Sequence, residues 1–157
     1  MRASADCYPR PVVDPDPNIL VFVIALERES APERVDAASS LSDLMRGEVH
    51  AEDYARVVSA LLRCAGGESD PEALEAMLYT ASEAADRPGS GERADWDPLV
   101  PLLKTVEGPE CLGYVLTALG LARHERYRAP ITPFLAHVHP NVREAAAGAI
   151  AELDHRP

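Results

Sequence analysis

The sequence predicts an all-α protein, a short α-solenoid of about four antiparallel helix pairs, from a duplicated segment, an Ala- and Leu-rich apolar set and the spacing of its turn residues. The duplication sets Leu99-Val100-Pro101-Leu102-Leu103-Lys104-Thr105-Val106 against Ile131-Thr132-Pro133-Phe134-Leu135-Ala136-His137-Val138. Each copy places apolar residues at i, i+3, i+4 and i+7, with Leu103 and Leu135 as equivalent core positions. A turn with Pro follows each copy, Gly108-Pro109 and His139-Pro140. A second amphipathic run then begins, through Cys111, Tyr114, Val115, Ala118 and Leu119 in one copy and Val142, Ala145, Ala146, Ala149 and Ile150 in the other. A repeated helix pair needs a neighbour to bury its stripe, which is the mark of a solenoid. Composition agrees: the chain is 46% hydrophobic but only 5% aromatic, a balance that suits close-packed helices better than sheets.

From the N-terminus, residues 1–17 hold Pro9, Pro11, Pro15 and Pro17 and no periodic stripe, which predicts an extended tail ahead of one helical-repeat domain over 18–157. Asn18 can cap the run Ile19-Leu20-Val21-Phe22-Val23-Ile24. That run is β-branched and continuous, but a strand needs a partner and the chain has no second strand-like run, so a buried helix is expected. After Ala31-Pro32 a stripe of Val35, Ala38, Leu41 or Ser42, and Met45 completes the first pair. In the second pair, Tyr54, Val57, Val58, Leu61 and Leu62 mark one helix, which Gly66-Gly67 ends. Asp70 caps the next, with Pro71 in its first turn and Leu74, Met77, Leu78 and Ala81 on its face. A flexible loop without an apolar anchor is expected near 86–95, dispensable for folding and first to be cut by proteases.

The last two pairs resemble HEAT repeats. Pro140-Asn141-Val142-Arg143-Glu144-Ala145-Ala146-Ala147-Gly148-Ala149-Ile150 looks like the second helix of that family, with its Pro turn, Val-Arg pair and small-residue packing face. The third pair matches at Pro109, Ala118, Leu119 and Gly120, while Leu112 stands where the family has Arg. Neither copy has the turn Asp, the position being Gly108 in one and His139 in the other. The resemblance implies a stacked helical fold that binds other macromolecules along a face lined by second helices.

Charge narrows the partner. A formal net charge of -11 over 157 residues argues against nonspecific binding to nucleic acid or an anionic membrane. Nine acids against two arginines fall between Glu68 and Asp97. On the second helices, the positions pointing away from the stripes include Asp36, Ser40, Asp43, Glu72, Glu75, Tyr79, Glu110 and Glu144, an acidic groove with an aromatic in it. The expected partner is a basic protein or peptide. A secondary candidate is the basic patch of Arg123, His124, Arg126, Tyr127 and Arg128, which suits a phosphate or an acidic peptide.

No catalytic, metal or cofactor residues are expected. Cys7, Cys64 and Cys111 have no CxxC spacing, which suits a reduced, cytoplasmic setting. His137 and His139 lack accompanying Cys or clustered carboxylates, and neither GxSxG nor a Gly-rich phosphate loop occurs. The apolar run from Ile19 to Leu26 is too short to span a bilayer and lacks a signal-peptide cleavage site. The expected function is a non-enzymatic protein-binding module. An immunity- or antitoxin-like inhibitor of a basic toxin is the alternative, and a HEAT-like enzyme or nucleic-acid binder the outsider.

Overall fold

The computed structural model describes residues 14–155. Its helices are α1 (Pro17–Ala25), α2 (Ala31–Met45), α3 (Ala51–Ala65), α4 (Pro71–Ala85), α5 (Ser90–Arg93), α6 (Leu99–Leu102), α7 (Pro109–Leu121), α8 (Arg128–Ile131) and α9 (Pro140–Asp154). Short 3-10 segments cover Glu125–Tyr127 and Thr132–Ala136. Among the described residues there is no strand, and the run from Ile19 to Ile24 lies inside α1.

The cap of α1 is Asp16, not the expected Asn18: the Asp16 carboxylate accepts the Asn18 N–H at 2.8 Å, and Pro17 fills the first turn. Most of the expected 1–17 tail lies outside the described residues, and its last part is tied down by Asp16 N–H donating to Asp53 Oδ2 at 3.2 Å. The second pair follows its stripe closely. Tyr54, Val57, Val58, Leu61 and Leu62 are all buried, and the Asp70 carboxylate accepts the Glu72 and Ala73 N–H groups at 3.1 and 3.0 Å. Tyr54 donates to the Ala84 carbonyl at 2.7 Å, and burial pushes its pKa up to about 12.

The duplicated segments depart from the expected helices. The first keeps one α-helical turn, α6, and continues through i to i−3 bonds from Leu103, Lys104 and Thr105. The second is α8 followed by the 3-10 segment Thr132–Ala136. Leu103 is buried, 7% exposed, whereas Leu135, expected in the core, is 41% exposed. Winding accounts for the difference. In a 3-10 segment positions three apart eclipse, so the buried Ile131 carries Phe134 inward and turns Leu135 to solvent.

The segment near 86–95 carries α5 and is anchored. Ser90 is buried, the buried Trp96 indole donates to the Ser90 carbonyl at 3.0 Å, and Arg93 lies 4.2 Å above the Tyr54 ring. Arg87 donates to the carbonyls of Met45 and Gly47. Gly91 is packed so tightly that a Cβ there would fall 2.0 Å from the Ala122 carbonyl oxygen.

The second helices form the continuous layer of the molecule: α2 packs on α4, α4 on α7 and α7 on α9. Thr80 on α4 reaches the Ala38 carbonyl of α2 at 3.0 Å. Gly120 on α7 lets α9 approach until its Ala149 backbone nearly touches. On the other side, α1 packs on α2 and α3, and α3 on α4. One apolar core runs the length of the stack.

Candidate interaction surface

The eight residues expected to form the acidic groove lie on the second-helix layer. Asp36, Ser40 and Asp43 are on α2, Glu72, Glu75 and Tyr79 on α4, Glu110 on α7 and Glu144 on α9. All are exposed except Ser40, which is half-buried. The structure gathers three of them at the seam of α4 and α7. Tyr79 meets Tyr114 edge to face, centroids 5.6 Å apart and planes at 77°. Burial pushes the Tyr114 hydroxyl and the Cys111 thiol up, and the negative charges of Glu75 and Glu110 push both further. Tyr79, Tyr114, Glu75 and Glu110 therefore share one electrostatic neighbourhood. The remaining candidates are spread along the neighbouring helices.

Tyr114 was not singled out by sequence as a surface residue, because its spacing places it on the apolar stripe of α7. It sits four residues beyond Glu110 on the same helix, which puts both on one side, and it is half-buried. Further along, a shallow groove of about 420 Å³ crosses α4, α7 and α9 and is lined by Ser82, Glu83, Asp86, Thr117, Gly148 and Glu152. Its acids extend the same surface.

Ion pairing separates the acids. Arg46 holds Asp43 at 3.0 Å and approaches Glu83 at 3.8 Å, and Arg123 holds Glu152 at 2.8 Å. Asp36, Glu72, Glu75, Glu110 and Glu144 make no ion pair among the described residues. Their charges face solvent uncompensated.

The basic patch is engaged within the chain. Besides Arg123, Arg126 pairs with Asp97 at 2.8 Å and stacks on Tyr127, and Arg128 pairs with Glu125 and with Asp154 at 2.7 Å. Tyr127 is buried and donates to Asp97 at 2.9 Å; burial first, then that hydrogen bond, pushes its pKa up to about 12. His124 Nε2 donates to the Gly91 carbonyl at 2.8 Å. These residues tie α5, the loop before α6 and the end of α9 to one corner.

Among the described residues no group of three or more His, Cys, Asp or Glu could hold a metal ion. His137 Nδ1 accepts the His139 N–H at 3.1 Å, a turn contact. Cys64 and Cys111 are free, their thiols pushed up by burial, and Cys7 lies outside the described residues. Among the described residues no helix is long and apolar enough to cross a membrane.

No protein-family model and no curated protein matches the sequence. Among solved structures, the fold is similar to an engineered protein, with a TM-score of 0.68 and 17% identity over 89% of this chain. The chain spans 64% of that protein, less than two thirds of its length. It is also similar to the complex of CpcE and CpcF of phycocyanin lyase from Nostoc sp. PCC7120, with a TM-score of 0.52 and 20% identity, covering 99% of this chain and 71% of that one. At such identities the likeness shows the fold alone: all-helical, with helix packing of the repeat type.

Proposed function

We propose that the chain is a non-enzymatic protein-binding module, which holds a basic protein or peptide on the acidic face of its second helices. The observation that carries this reading is the seam of α4 and α7, where Glu75 and Glu110 flank the Tyr79–Tyr114 pair and make no ion pair among the described residues. Paired tyrosines give rigid contact area at low entropic cost, and the acids around them supply long-range attraction and register. The likeness to the complex of CpcE and CpcF supports protein partners in general. The net charge of -11 makes a phosphate backbone a poor ligand for this face. An inhibitor that covers a basic toxin is a special case of the same chemistry.

The test uses the Glu72→Lys, Glu75→Lys double variant. Both positions are exposed, so folding should survive. Proteins captured by the wild-type chain and lost by the variant should be basic, and their association rate should fall as salt rises. Capture that is unchanged in the variant, or insensitive to salt, would remove the acidic face from consideration. The likeness to a lyase complex favours one second reading, an enzyme acting on a protein. Covalent change in a captured partner would support it.

A further inference from the structure

Four tyrosines lie among the described residues, and the two that are buried, Tyr54 and Tyr127, each carry an arginine of the chain. The Arg93 guanidinium sits 4.2 Å above the Tyr54 ring, and that of Arg126 sits 4.9 Å above Tyr127. Arg126 Nε also donates to Asp97 Oδ1 at 2.8 Å, so a single guanidinium meets a ring and a carboxylate together. Its planar, weakly hydrated shape allows this, because the face of the group lies on the ring while its N–H groups point outward to the acid.

The seam of α4 and α7 brings together rings and carboxylates of the same kind. Tyr79, 39% exposed, and the half-buried Tyr114 touch each other, and neither carries an arginine among the described residues. Glu75 and Glu110 each lie four residues before one of these tyrosines, one turn away on the same side of its helix. After burial, the charge of Glu75 is the next cause of the raised pKa of both Tyr114 and Cys111, which sets that carboxylate facing α7 across the seam. The adjoining groove differs, since its Glu83 is approached by Arg46 and its Glu152 is held by Arg123. An incoming cation therefore meets uncompensated charge at the seam and not in the groove.

We propose that this seam takes an arginine side chain of the basic partner, with the guanidinium on the Tyr79–Tyr114 pair and its N–H groups turned to Glu75 and Glu110. The inference rests on the acidic-face reading and names the side chain that the face selects. Lysine is the poorer guest, because its compact, strongly hydrated ammonium can neither lie flat on a ring nor present a planar fork to two carboxylates. The groove that begins one turn further on, at Ser82 and Thr117, has room for the partner residues beside the arginine.

Two capped peptides of equal charge, Gly-Lys-Gly-Arg-Gly-Lys-Gly and the same chain with lysine at its centre, test this when titrated into the full chain and followed by NMR. The arginine peptide should bind about three- to tenfold more tightly and should shift the ring resonances of Tyr79 and Tyr114. Tyr79→Leu alters an exposed residue, so it should fold, and it should bring the two peptides to within about twofold of each other. Tyr79→Phe keeps the ring and should keep the preference. Glu75→Gln with Glu110→Gln should weaken both peptides. A lysine peptide that binds as tightly as the arginine one would overturn the proposal, as would a preference that survives both Tyr79→Leu and Tyr114→Leu. Tighter binding of a trimethyl-lysine peptide would make the seam a methylammonium site instead, and binding of neither peptide up to about 10 mM would also refute it. Equal, salt-sensitive binding of both peptides that is lost in the Glu72→Lys, Glu75→Lys variant would sink the arginine inference alone and leave the acidic face standing. Failure of the acidic-face reading shows elsewhere, in capture that neither salt nor that variant alters.

Discussion

Replacing Gly120 by Ala sets two effects of known size against each other. A glycine inside a helix costs about 1 kcal/mol relative to alanine, so the change alone should stabilise α7. The crossing of α7 and α9 opposes it. A Cβ on Gly120 would fall 2.5 Å from Ala149 Cα, 2.7 Å from its Cβ and 3.0 Å from its carbonyl oxygen. Reaching ordinary contact requires the helices to part by about 0.9 Å, and two of the three obstacles are backbone atoms that no rotamer change can move. Overpacking of this kind costs about 1–3 kcal/mol, and a backbone obstacle puts the cost at the upper end. Packing should win by about 1–2 kcal/mol, lowering Tm by about 2–8 °C at this chain length. Gly113→Ala is the internal control on the same helix, because nothing lies within 4 Å of its would-be Cβ. It should leave stability unchanged or raise it by up to about 1 kcal/mol. Thermal unfolding by circular dichroism measures both. If Gly120→Ala melts as high as Gly113→Ala, the close approach of α7 to α9 is wrong. Adding Ala149→Gly to Gly120→Ala should recover stability only in part, since it removes the Cβ obstacle and leaves the backbone ones.

Truncating the duplicated leucines should give unequal results: Leu103→Ala should cost about 2–5 kcal/mol, as for a core leucine, and Leu135→Ala well under half of that, by denaturant unfolding. Equal losses would put the 3-10 segment in the wrong register. The Arg34–Glu68 pair gives an acid-dependent reading: the Arg34 guanidinium bonded at 2.7 Å holds the Glu68 carboxyl below the usual carboxylate range. A carboxyl depressed in the folded state stabilises above its unfolded pKa of about 4.3, and that contribution is lost as pH falls through the lower folded value. Glu68→Gln should therefore melt lower than wild type at neutral pH, and the gap should narrow below about pH 4. A gap constant with pH would mean that the pair carries none of the difference.

Local signals made much of this fold legible. The cap at Asp70, the prolines in the first turns and the stripe from Tyr54 to Leu62 act within a few residues of one another, and each has its expected place. The failures have physical causes. Apolar residues at 131, 134, 135 and 138 satisfy a 3.6-residue period and, in part, a 3.0-residue one, so the pattern alone could not show that Leu135 turns outward. The charges of the run from Arg123 to Arg128 were visible, but the acids that occupy them, Asp97, Glu152 and Asp154, come from distant parts of the chain. The anchoring of 86–95 was hidden for the same reason, since it depends on carbonyls of Met45 and Gly47. The eight candidate surface positions followed from helical phase. Which of them stay unpaired could come only from the structure.

The stack holds its layer together without the Asp–Arg ladder that the HEAT resemblance would supply, and what replaces the ladder bears on where a partner can bind. In the third and fourth pairs the first helices have shrunk to single turns, α6 and α8, so these pairs cannot be joined through long first helices. Their connection runs through α7 and α9, brought close by Gly120, and the link from α2 to α4 uses the Thr80 hydroxyl on the Ala38 carbonyl. Both contacts use small or neutral groups. Ion pairs add to these joints only at Glu83, approached by Arg46 at 3.8 Å, and Glu152, held by Arg123 at 2.8 Å, while Glu72, Glu75, Glu110 and Glu144 make no ion pair among the described residues. Like charges on one face cost some stability. Joints made largely by small and neutral groups, Gly120 against Ala149 and Thr80 on Ala38, leave the charges of those four acids on the surface instead of in the joints.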